Sequence, residues 1–183
     1  MLSFTMGHIM EPSCVLCVDD EPGFADLTAT HLERFDDQFT TKVKTNAEDA
    51  LEFLHENHVD CIVSDYNMPE MDGLVFLQAV RTTDPELPFF LFTGRGSEEI
   101  ASEAISAGVT DYLQKGSGAE LYTLLGQRVK NAVSRYRTRL EKQEVEIRGE
   151  TILNASPDAI VVSVNTEFVY ANPKAIDLYG VPD

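Results

Sequence analysis

Tryptophan is absent from the 183 residues, cysteine occurs three times, and Lys and Arg together number 14 against 31 Asp and Glu. Each shortage excludes something. Three cysteines cannot build a disulfide framework. Cys14 and Cys17 form a C-x-x-C in an apolar run that reads as a strand, where positions three apart point to opposite faces. No second pair or ligand helix follows them, so zinc is not expected there. His55 and His58, in H-E-N-H, lack the i, i+4 spacing of a zincin helix and read as solvent-facing helix residues. No apolar run approaches the roughly 20 residues that a bilayer crossing needs. Met1 to Met10 has no basic n-region and no long apolar stretch, so no secretory signal is expected and the protein is placed in the cytoplasm. The shortage of basic residues argues against direct nucleic-acid binding, which needs a basic groove against phosphate.

What is present is acid, and it is concentrated. Residues 11 to 118 hold 22 acidic and 6 basic residues, whereas residues 119 to 150 hold 5 acidic and 7 basic. A surface of one sign repels its own kind and keeps proteins soluble in high salt, which suggests a halophilic source. With 43% hydrophobic residues the chain can still pack a core.

Short β-type runs occur at Cys14 to Val18, Lys42 to Lys44, Cys61 to Ser64, Phe89 to Phe92 and Asp111 to Leu113. Most are continuous apolar stretches, as suits central parallel strands buried on both faces. Helical patterns lie between them at Ala25 to Arg34, Ala47 to Glu56, Leu74 to Arg81 and Glu98 to Ala107. Asn46 and Ser97 are expected N-caps and Gly108 a C-cap. This order predicts an α/β fold: (βα)5, a doubly wound parallel five-stranded sheet of the flavodoxin-like kind, closed by a long extended C-terminal helix.

Ligands in such sheets collect at the carboxyl ends of the strands, where the strand order reverses. The first strand runs into Asp19 and Asp20, the third ends at Asp65, the fourth at Thr93, and the fifth leads to Lys115. Three carboxylates in one pocket raise each other's pKa unless a cation joins them. Mg2+, which takes oxygen ligands, answers this. Asp20 and Asp65 are expected as direct ligands, Asp19 as an outer or water-mediated ligand, and the backbone carbonyl of Asn67 as a third point. A carboxylate can act as a nucleophile toward phosphorus, and Lys115 and the Thr93 hydroxyl would then steady the phosphoryl oxygens. Any one of these residues alone would pass for an ordinary loop residue; their order at successive strand ends does not.

V-D-D-E-P at 18 to 22, S-D-Y-N-M-P-E-M-D-G-L at 64 to 74, F-T-G at 92 to 94 and D-Y-L-Q-K at 111 to 115 resemble the receiver family of two-component response regulators, over about residues 13 to 130. The resemblance implies that Asp65 is phosphorylated by a histidine kinase or phosphotransfer protein, and that Asp19 and Asp20 form the acidic pair. It makes Thr93, Tyr112 and Lys115 the switch set, with Met68, Pro69 and Gly73 shaping the loop after the nucleophile. Gly116 departs from the family, which usually has proline after the lysine. Asn67 and Arg95 stand where the family varies to set phosphate lifetime. A Mg-dependent phosphohydrolase with an aspartate nucleophile would need a second aspartate at the place of Asn67. A receiver relative that only binds would not need the intact acidic pair, Thr93 and Lys115. No kinase catalysis is expected, since the chain lacks a Gly-rich ATP lid and a phosphoacceptor-histidine helix.

From Ala119 to about Thr151 the pattern reads as one helix, with Leu121, Leu125, Val129, Ala132, Tyr136 and Leu140 at helical spacing. Two readings stay open for its second half: homodimer formation through this helix, as a weak two-stranded coil, or a solvated linker between domains. N-A-S-P-D-A-I-V-V-S-V at 154 to 164, F-V-Y-A-N at 168 to 172 and A-I-D-L-Y-G at 175 to 180 look like the opening of a PAS domain. Receiver, helix, then PAS is similar to haloarchaeal sensory and hybrid histidine kinase proteins. The expected organisation is a receiver domain at 11–130, a helical linker at 131–150 and an incomplete PAS part at 151–183. Two strands and a short helix cannot bury a core, so this last part is expected to bind no cofactor and to be poorly ordered unless a dimer covers it.

Overall fold

The computed structural model describes residues 12–94, 98–116, 118–165 and 167–179. Five strands, β1 (Ser13–Val18), β2 (Phe39–Lys44), β3 (Cys61–Ser64), β4 (Phe89–Thr93) and β5 (Asp111–Gln114), form one parallel sheet in the order β2-β1-β3-β4-β5. Helices α1 (Pro22–Phe35), α2 (Ala47–Glu56), α3 (Gly73–Thr83), α4 (Glu98–Ser106) and α5 (Ala119–Asn154) alternate with them. This is the predicted doubly wound (βα)5 fold with its long last helix.

Several element ends shift from the sequence reading, and three of the differences have a clear local reason. Helix α1 begins at Pro22 because proline fits the first helical turn, where its missing N–H goes unused. Strand β2 begins at Phe39, since pairing with β1 from Ser13 onward recruits polar Thr40 and Thr41, which alternation alone does not mark. His58 is not a helix residue: Asn57 ends α2, its N–H bonding to the Phe53 carbonyl, and His58 lies in the following loop. The Asn46 cap is present, its side chain accepting from the Asp49 N–H at 2.7 Å. Gly108 takes a φ of 84° after α4, a conformation that suits glycine. Ser97 and Arg95, like the Met1 to Met10 segment, lie outside the described residues.

Alternation along the strands sends two apolar layers to opposite faces. Val15, Cys17, Cys61, Val63, Phe90 and Phe92 pack with Ala29 and Leu32 of α1 and with Leu125, Val129 and Val133 of α5. On the other face Phe89 meets Phe76 of α3 edge-on, with ring centroids 5.3 Å apart. Leu125 and Val129 are wholly buried, and each contributes roughly 1.5–3 kcal/mol. Helix α5 reaches this depth because Gly126 faces Phe35, whose ring a Cβ would meet at 2.5 Å.

Two compact units, Met1–Arg137 and Thr138–Asp183, divide the chain within α5. In the second, strands β6 (Val161–Val164) and β7 (Glu167–Ala171) form an antiparallel hairpin followed by α6 (Pro173–Tyr179). Asn172, wholly buried, holds this unit together. Its oxygen accepts from the Ile160 and Ala175 N–H groups at 2.9 and 3.0 Å. Its amide donates to the carbonyls of Leu153 and Asp158 at 3.1 and 2.9 Å. No helix among the described residues is long and apolar enough to cross a membrane.

Candidate functional site

The strand order reverses between β1 and β3, and the ladder there carries on past the last strand residues. The Asp65 N–H donates to the Val18 carbonyl at 2.7 Å and the Asp19 N–H to the Lys44 carbonyl at 3.1 Å. Asp65 is therefore fixed beside the β1 end, next to Asp19. The Lys115 N–H donates to the Thr93 carbonyl at 2.8 Å, which brings the lysine to the same edge. Its ammonium donates to Asp19 Oδ2 at 2.5 Å and to Asp65 Oδ1 at 2.9 Å. The remaining oxygens are also engaged: Asp65 Oδ2 accepts from the Asn67 N–H at 2.8 Å, and Asp19 Oδ1 from the Glu21 N–H at 3.0 Å.

A pocket of about 450 Å³ opens over these groups, lined also by Asp20, Phe24, Asn67, Thr93, Gly94 and Gly116. Asp19, Asp65 and Thr93 are buried, whereas Asp20 is partly exposed. Burial pushes the Asp19 carboxyl above its usual range, even though Lys115 draws it down. Burial would lower Lys115, but the hydrogen bonds and charges of Asp19 and Asp65 outweigh it and hold its pKa above the ordinary value. The predicted residues Asp19, Asp65, Lys115, Thr93, Asp20 and Asn67 thus share one edge. Tyr112 sits on β5 with its hydroxyl buried and without a hydrogen-bond partner among the described residues.

The loop after Asp65 is closed tightly. Asp72 caps α3, accepting from the Leu74 and Val75 N–H groups at 2.9 Å each. The Gly73 N–H bonds to the Tyr66 carbonyl at 2.8 Å. A Cβ on Gly73 would stand 2.4 Å from the Asp65 carbonyl oxygen, so only glycine lets the helix start this close to the acid. Glu70 takes a φ of 66° in this loop, a strained choice for a residue with a side chain.

The carboxylates are not gathered as a ready cage: no group of three or more His, Cys, Asp or Glu at metal-holding spacing occurs among the described residues. Lys115 stands between Asp19 and Asp65 instead. The donors within the pocket are nevertheless all oxygen, the type a hard divalent ion takes.

Phe24 escaped the sequence reading. Its ring centroid lies 5.0 Å from the Lys115 ammonium, and its place four residues after Asp20 in an ordinary helical pattern gives no hint of this. Asp60 also escaped it. This wholly buried carboxylate at the opposite edge of the sheet receives Arg137 Nε and Nη2 at 2.7 Å each and the Cys14 N–H at 2.8 Å. Tyr136 donates to Asp84 Oδ2 at 2.6 Å beside it. These partners are 77 and 52 residues apart, beyond any local pattern.

Comparison with known proteins agrees with the fold. The family model for the response regulator receiver domain matches residues 15–125, and a PAS domain model matches residues 150–183. The chain belongs to the response regulator receiver family of two-component systems. Among curated relatives, an NtrX-like response regulator of Rickettsia felis is 30% identical over 75% of this chain and 28% of its own length. The regulatory protein AtoC of Escherichia coli K12 is 32% identical over 62% of this chain and 24% of its own length. The chain thus spans about a quarter of the length of such relatives. The receiver domain of the Francisella response regulator 1452 superposes with a TM-score of 0.60 at 28% identity, covering 67% of this chain and 98% of that one.

Proposed function

We propose that Asp65 accepts a phosphoryl group from the phosphohistidine of a histidine kinase or phosphotransfer protein. The observation that carries this reading is the buried Asp65 carboxylate, set beside Asp19, bridged by Lys115 and facing an open pocket. An Asp65 oxygen forms the new O–P bond while the P–N bond to the imidazole breaks, and the leaving nitrogen keeps the electron pair. Lys115, already in contact with Asp65, follows the charge onto the phosphoryl oxygens, and the Thr93 hydroxyl approaches them from the end of β4. Asp19, Asp20, Asp65 and the Asn67 carbonyl would hold Mg2+, which when bound supplies the positive charge that lets a phosphoryl group enter among carboxylates.

Phosphorylation then biases a two-state surface. Thr93 moves toward the phosphoryl group, Tyr112 follows, and the face formed by β5 and the receiver's last two helices, α4 and α5, changes. The Tyr112 hydroxyl, buried without a hydrogen-bond partner among the described residues, supports this reading, since a buried polar group gains by moving to a partner. The domain reading is a receiver at 11–130, a helical linker at 131–150 and the first part of a PAS domain at 151–183. Helix α5 carries the output, either by pairing with a second copy or as a linker. The acidic surface suits a cytoplasm of high salt and disfavours direct nucleic-acid contact.

The test is to incubate the chain with magnesium and acetyl phosphate or phosphoramidate and measure intact mass. One phosphoryl group should be gained, dependent on magnesium and lost completely in Asp65→Ala. Labelling that persists in Asp65→Ala would remove Asp65 as the nucleophile.

A further inference from the structure

Lys115 carries its charge into a place with little water: its side chain is 12% exposed. An ammonium removed from water keeps its charge only where other groups replace the lost hydration. Asp19 and Asp65 do this at 2.5 and 2.9 Å. The ammonium also lies over the Phe24 ring, 5.0 Å from its centroid. The first turn of α1 sets the ring there. The Glu21 N–H donates to Asp19 Oδ1 at 3.0 Å, and the Glu21 carbonyl accepts from the Phe24 N–H at 2.9 Å. The residue that engages Asp19 thus also fixes the backbone of Phe24. Phe24 lines the pocket and is 40% exposed, so packing of the core gives little reason for a large ring at this position.

We propose that Phe24 is a positioning residue for phosphoryl transfer: its ring holds the Lys115 ammonium in the pocket while the lysine passes from the carboxylates to the phosphoryl oxygens. This role rests on the reading of Asp65 as the phosphoacceptor. A third carboxylate in this place would hold the lysine more tightly, but it would repel the incoming phosphoryl group. An aliphatic side chain would leave the ammonium uncompensated on that side. A ring attracts the cation through its quadrupole, carries no net charge and demands no hydrogen-bond direction. The ammonium can therefore keep this partner while it exchanges the others. A second pair of the same kind, Lys44 over Phe53 with 5.3 Å to the centroid, lies outside the pocket and supplies a control.

The test uses the full chain with magnesium and acetyl phosphate. Phe24→Leu should slow labelling about fivefold. Phe24→Tyr, which keeps the ring, should label at the parent rate, and so should Phe53→Leu. The decisive comparison is made in Lys115→Ala, where Phe24→Leu should slow nothing further, because the ring acts through the lysine. Equal slowing in both backgrounds, parent-rate labelling by Phe24→Leu, or slowing of the same size in Phe24→Tyr or Phe53→Leu would each overturn the proposal. A second readout needs no phosphodonor. In proton NMR spectra of the unlabelled chain, the ring current should move the Lys115 ε-methylene resonances upfield, and Phe24→Leu should return them. Resonances that Phe24→Leu leaves in place would overturn the contact itself. Failure of the parent chain to label would overturn the phosphoacceptor reading and the part of Phe24 in it, whereas the resonances would still report the contact between ring and lysine.

Discussion

The two edges of the sheet hold the same ingredients and use them differently. At the carboxyl edge Asp19 and Asp65 share the Lys115 ammonium; at the other edge Asp60 faces Arg137. All three carboxylates are buried. Burial alone would raise the Asp60 carboxyl, but the forked hydrogen bonds of Arg137 and the Cys14 N–H outweigh it and hold it below the usual carboxylate range. Asp19 is pushed the other way, because one lysine divided between two acids does not offset the loss of water. A guanidinium presents a planar fork that satisfies one carboxylate completely, whereas an ammonium is a point charge that can leave one partner for another. The first arrangement fixes a helix. The second suits a site that must admit new charge.

The sharpest way to break this comparison is to remove each acid in turn. Asp65→Ala should lose all phosphoryl labelling and keep a cooperative melt, while Asp60→Ala should label within about twofold of the parent under folded conditions, because Asp60 is remote from the chemistry. Asp60→Ala should instead lose roughly 3–5 kcal/mol of stability in urea unfolding, since the partly buried Arg137 charge no longer faces the Asp60 carboxylate. A fall below about 1 kcal/mol would make the pair an ordinary surface contact. Lys115→Ala should slow labelling by acetyl phosphate on the order of 10²-fold. It should also tighten magnesium binding, measured by calorimetry, because the ammonium no longer competes for Asp19 and Asp65.

Acid titration gives the smallest effect. Asp60 and Asp36 both lie below the aspartate value of 3.8 in the folded chain; Asp36 does so chiefly through its bond to Lys130. Groups depressed in this way add stability that is fully present above the unfolded pKa and is lost as pH falls through the folded one. Thermal melts should therefore decline as the pH drops below about 4, and less steeply in Asp60→Asn than in the parent. An identical decline in both would take Asp60 out of the acid transition.

The carboxyl edge was legible in the sequence because each of its residues follows a strand, and strands announce themselves as apolar runs. Asp19, Asp65, Thr93 and Lys115 needed only the order of the elements to be brought together. The opposite edge was not legible. Asp60 precedes β3 much as any loop acid might, and Arg137 is one of several basic residues along α5. Their meeting depends on the phase of α5 against the sheet, which is set by Gly126 against Phe35 and by the buried Leu125 and Val129. The start of β2 was missed for a related reason, since Thr40 and Thr41 become strand residues through pairing with β1.

Asn172 has a consequence for exchanging modules. Its amide is bonded to the carbonyl of Leu153, near the end of α5, and Arg137 is fastened to Asp60 farther back along the same helix. A chimaera joined between about positions 140 and 150 would keep both attachments intact. A splice at 153 or later would separate the hairpin from the carbonyl that Asn172 grips. Within that interval, insertions of whole heptads would keep the helical pattern of α5 nearly in phase, whereas shorter ones would break it. That stretch of α5 is the natural seam for recombining this receiver with other modules.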